Sequence, residues 1–80
     1  MQPESKIVRM ANQIATFFNS QPEGDRVKGV ANHINKFWEA RMRREFFSIV
    51  DSGGEGLLPL VIEASRQVNR PVVKEAAPVH

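Results

Sequence analysis

The sequence predicts an all-α fold, a small bundle of about four short helices with a flexible C-terminal tail. Three observations predict it. Apolar residues recur at helical spacing in four segments, and none alternates with the period of a strand. Breaks rich in Pro and Gly, "QPEG" at 21–24 and "DSGGEG" at 51–56, part the segments. The 80 residues suffice for one domain, read as residues 1–69, with 70–80 as the tail.

The first helix runs from about Ser5 to Ser20, with Ile7, Met10, Ala11, Ile14, Phe17 and Phe18 on its stripe. Pro22 and Gly24 end it. Asp25 is placed to N-cap the second helix, which runs from about Arg26 to Trp38 on Val27, Val30, Ala31, Ile34, Phe37 and Trp38. The third runs from about Ala40 to Asp51 on Met42, Phe46, Ile49 and Val50. Because Glu39-Ala40 has no Gly or Pro, a kinked continuation of the second helix into the third is one reading. Gly53 is placed for the left-handed conformation past a helix end. The fourth helix runs from about Leu57 to Asn69, and Pro59 is acceptable because first-turn amides lack helical partners. The segment from Arg70 onward has prolines and few apolar anchors, which predicts a loose tail.

A domain this small has a limited core, and with no cysteine neither a disulfide nor a thiolate metal site can staple it. Packing between helices, or against a partner, must hold it. No apolar run approaches the length that spans a bilayer, and the N-terminus has no signal-peptide hydrophobic region, so a soluble cytoplasmic protein is expected. The net charge is only +2, but Arg26, Lys28, Lys36, Arg41, Arg43 and Arg44 outnumber Asp25, Glu39 and Glu45 across residues 25–46. A modest basic patch suits an acidic protein surface at least as well as a phosphate backbone.

No catalytic constellation stands out. The acidic residues are scattered, His33 and His80 lie far apart, and "GGEG" lacks the strand and the Lys-Ser/Thr of a phosphate loop. His33 reads as a boundary side chain. The chain is therefore expected to be no enzyme, with no catalytic, cofactor or metal residues of its own.

Two features point to docking. The apolar positions of the first helix cover about half its circumference, more than a small bundle readily buries. On the third helix Arg43 falls inside the apolar arc, between Val50 and Phe47. An unpaired buried guanidinium costs several kcal/mol, about the whole stability of a small domain. Arg43 must therefore snorkel to water or meet a carboxylate, either Glu39 or one from a partner. Trp38 either plugs the core or anchors an interface. Trp38, Arg41, Met42, Arg43 and Phe47 form the candidate partner-binding set. The alternatives are a small basic helical nucleic-acid-binding module, with the second and third helices as a helix-turn-helix, or a self-associating one.

Three stretches, "VRMANQIATFF" (8–18), "VANHINKFWEARMRREF" (30–46) and "VDSGGEGLLPLVIEA" (50–64), together resemble the delta subunit of cytoplasmic NAD-dependent, molybdenum-containing formate dehydrogenases. The resemblance implies an accessory subunit that associates with the catalytic alpha subunit. The molybdenum bis-pterin cofactor, iron–sulfur clusters, FMN and NAD are then expected in the partner subunits. This chain departs from the family pattern at Glu39-Ala40, where the family has Asp-Pro. Loss of that cap and helix-start pair implies a softer break between the second and third helices.

Overall fold

The computed structural model describes residues 5–71, and among them it has four α-helices, one 3-10 turn and no strand. Helix α1 spans Lys6–Phe18, α2 Glu23–Phe37, α3 Ala40–Asp51 and α4 Pro59–Ala64, which a 3-10 turn, Ser65–Gln67, continues. The expected all-α architecture is present. Most of the expected tail, residues 72–80, lies outside the described residues.

Helix α1 opens at Ser5, whose Oγ accepts the Ile7 amide at 3.1 Å, satisfying one donor that the first turn leaves free. The start of α2 differs from the expectation. Pro22 is the N-cap and Asp25 lies inside the first turn, its amide donating to the Pro22 carbonyl at 2.9 Å. With Glu23, Asp25 puts negative charge near the positive end of the helix dipole, a role that does not require the cap position.

The junction between α2 and α3 is a clean break and not a kink. Trp38 and Glu39 both take extended backbone (ψ 134° and 161°) with neither Gly nor Pro present. Tertiary contacts hold it open. The Trp38 ring is buried edge-to-face on Phe46, 5.8 Å between centroids, and the Phe46–Phe47 pair at 5.3 Å extends the cluster.

Helix α3 ends in a Schellman motif: the Gly53 amide donates to the Val50 carbonyl and the Gly54 amide to that of Ile49. Both glycines have positive φ, 118° and 68°. Gly54 has a second constraint, since a Cβ there would collide with the Ile62 side chain.

Helix α4 is shorter than predicted at both ends. Leu58 precedes proline and is extended, so the helix starts at Pro59. After Gln67 the chain turns extended at Val68. Two asparagines bind the backbone on either side of α4. The Asn12 side chain on α1 donates to Gly56 O (2.8 Å) and accepts from Leu58 N (2.9 Å). Asn35 on α2 repeats the pattern, donating to Gln67 O (3.1 Å) and accepting from Asn69 N (2.7 Å). Each carboxamide stands in for a neighbouring peptide, so one latch precedes α4 and one follows it.

In the core, α2 packs against both α1 and α4, while α3 packs on α1. Ala11, Ala15, Ala31 and Ala64 are buried where helices meet, and their small side chains permit close approach. Ile34, Val30, Val61 and Phe46 are the largest fully enclosed side chains. Arg70, expected in the tail, is anchored instead: its guanidinium lies 4.1 Å from the Phe47 ring centroid and pairs with Asp51 at 2.9 Å. Helical structure among the described residues ends at Gln67, and Arg70 is the first tail residue to touch the body.

Candidate functional site

The structure disperses the five residues proposed for partner binding. Trp38 and Phe47 are core side chains, each 5 % exposed, and the outer face of Phe47 lies under Arg70. Arg43 is half-buried, and among the described residues neither Glu39 nor any other carboxylate pairs with it. Its Nη1 donates to Asn69 O at 2.7 Å and its Nε makes a longer contact with Trp38 O at 3.4 Å. Carbonyl oxygens accept from a guanidinium as a carboxylate does, so these contacts take up two of the five Arg43 donors. They tie the α2–α3 break to the segment after α4. Arg41 is exposed and Met42 half-buried. The arginine-rich stretch is thus split between an internal tie and an outward-facing pair, Arg41 and Arg44.

The uncovered apolar surface lies on the other side of α1. Its half-circumference of apolar residues divides in two. Ile7, Ala11 and Ala15 enter the core, while Met10, Ile14 and Phe17 (i, i+4, i+7) face an open groove of about 400 Å³. Phe18, His33 and the buried Trp38 complete its wall and floor. Phe17 is 60 % exposed and Phe37 65 %, the two large apolar side chains most open to water among the described residues. The Phe37 ring lies tilted against His33, 4.8 Å between centroids, so the exposed Phe37 is next to a residue that lines the groove. Gly29 matters here because a Cβ would strike the Phe18 ring, which rests on the α2 backbone.

Met10 also lines a second depression between α1 and α3, with Lys6, Ile7, Arg41, Met42 and Glu45. The two hollows share Met10 and are together called the α1 trough, the first mostly apolar and the second lined by Lys6, Arg41 and Glu45. Lys36 adds a charge beside Phe37, 5.9 Å from its ring. Among the described residues the one salt bridge is Arg70–Asp51, so none of these three cations is paired there. Hydrogen bonding to Arg70 holds the Asp51 carboxyl below its usual range and raises Arg70, against a smaller effect of desolvation.

Sequence reading missed Phe17, Phe37, Met10, Ile14 and His33 as surface candidates. Arc width was the available signal, but it does not say which edge of the arc is core. Asn12 and Asn35 were also missed. Both stand inside helices, where Asn is a poor former, and that cost was a signal that their amides work elsewhere.

The fold and this trough define a small all-α domain with an apolar surface that its own described residues leave open. The family model of the NADH-dependent formate dehydrogenase delta subunit FdsD matches residues 6–65, which takes in all four helices. The chain belongs to that family, as the three sequence stretches anticipated. Comparison with curated proteins gives no match. No helix among the described residues is long and apolar enough to cross a membrane.

Proposed function

We propose that the chain is a non-catalytic accessory subunit that docks onto the large alpha subunit of a cytoplasmic NAD-dependent formate dehydrogenase and supports its assembly, stability or activity. One observation carries the docking reading: two exposed phenylalanines and an open groove lined by half-buried Met10 and Ile14 lie on a domain whose family is named as a subunit. On this reading Arg41 and Met42, which line the second hollow, and Trp38, which lines the first, contribute to the docking surface. Arg43 and Phe47 act by holding the fold.

On this reading the molybdenum bis-pterin, the iron–sulfur clusters, FMN and the NAD site belong to the other subunits. The residues here do not fit an iron–sulfur cluster, because the chain has no cysteine to supply thiolates.

The test is co-expression of the tagged alpha subunit with and without this chain. Recovery of the chain on the alpha subunit, together with a lower yield of assembled, formate-oxidising complex in its absence, is the expected result. Formate oxidation by the isolated chain would contradict the non-catalytic assignment. Equal yield, size and activity of the complex without the chain would remove the supporting role.

A further inference from the structure

We infer that the trough along α1 receives an amphipathic helix with acidic flanks, supplied by a larger subunit of the complex. The inference rests on the docking reading above and names its surface and the chemistry of the occupant.

The shape argument begins with Met10, Ile14 and Phe17. Their spacing makes a ridge of the kind one helix offers another, and no described element packs over it. His33 lines the groove from α2, with the exposed Phe37 ring against it, leaving a furrow between helices. Helix-in-groove recognition uses this geometry, with anchors at i, i+3 or i+4 and i+7 on the incoming helix. An extended strand would find no sheet edge here, since the described residues include no strand.

The charge argument selects among occupants. Lys6 and Arg41 line one end of the trough and Lys36 stands beside Phe37, while Glu45 is the single acid lining it. The rim therefore carries a positive excess without salt-bridge partners among the described residues. A second copy of the chain in a two-fold contact would present the same patch to itself, setting basic rim against basic rim. An apolar helix flanked by Asp or Glu removes that conflict and gains charge-assisted hydrogen bonds.

The experiment uses the full chain with the larger subunits. Phe17→Ser and Phe37→Ser are combined, because both side chains are mostly exposed. Circular dichroism and thermal melting confirm the folded state. The double variant is expected to lose at least about tenfold in affinity for the complex, as loss of aromatic anchors does. Arg41→Glu is expected to weaken binding separately, and wild-type binding is expected to weaken with added salt. A photo-cross-linking residue at Gln13, which also lines the groove, is expected to label an acidic amphipathic helix.

If the wild type binds no larger subunit, the docking reading fails and this inference with it. If the wild type binds and the folded double variant binds equally well, docking stands and the trough is overturned as its site. Labelling of a basic or non-helical segment would also overturn the inference. So would a wild-type dimer in sedimentation that the double variant abolishes, since the occupant would then be a second copy.

Discussion

Three polar side chains hold parts of this chain that helix propensity does not. Asn12 and Asn35 each bind a carbonyl and the amide two residues beyond it, and Arg43 binds the carbonyl of Asn69, whose amide Asn35 already holds. Replacing Asn12 or Asn35 by Ala removes both bonds of a latch, at an expected cost of about 2 kcal/mol in chemical denaturation. Asn12→Asp keeps the acceptor and loses the donor, so an intermediate loss is expected. Equal stability of the Asp and Ala variants would show that the Gly56 carbonyl bond alone matters. Arg43→Met retains the apolar stem but leaves the Asn69 carbonyl without its guanidinium, and should destabilise by about 1–2 kcal/mol. A variant as stable as wild type would show that the tie is dispensable.

At the scale of elements, the loop between α3 and α4 is the most constrained segment. Gly54 combines positive φ with contact against Ile62, so Gly54→Ala should lower the melting temperature through both backbone strain and collision. Ile62→Ala clears the collision, and the double variant should lose less stability than the two single losses added together. Additive losses would leave backbone strain as the only cause. The Asp51–Arg70 pair joins the end of α3 to the segment after α4 at the surface. Because the folded state depresses the Asp51 pKa, its contribution is present above the unfolded carboxylate pKa and is lost as pH falls through the folded one. Asp51→Asn should therefore melt slightly below wild type at neutral pH and converge with it in acid. Both groups are exposed, so the difference should also shrink in salt.

For the whole molecule, the notable property is the division of the α1 apolar arc between core and open trough. The core half is built on Ala11 and Ala15, which allow the other helices close. The trough half carries larger side chains, of which Met10 and Ile14 are half-buried against the core and Phe17 is exposed. Phe17→Ser and Phe37→Ser should therefore leave the melting temperature of the isolated chain nearly unchanged. A fall of more than a few degrees would mean that these rings support the fold. The wild-type chain should melt higher in the assembled complex than alone, since a partner that binds only the folded form stabilises it by mass action.

Much of this molecule was legible in its sequence. Helical periodicity and the "QPEG" and "DSGGEG" breaks determined the all-α class, the helix count and the left-handed Gly53, because these depend on residues a few positions apart. The three stretches determined the family. Tertiary structure decided what local pattern leaves open. Packing of Trp38 on Phe46 parts α2 from α3 without Gly or Pro, and the Asn12 and Asn35 latches flank α4. It also gave Arg43 a backbone carbonyl to bind and placed the open groove at Met10, Ile14 and Phe17. The physical reason is the same in each case. A helical wheel states how wide an apolar face is, but which part of it meets another helix is settled by side chains up to 46 residues apart in the chain.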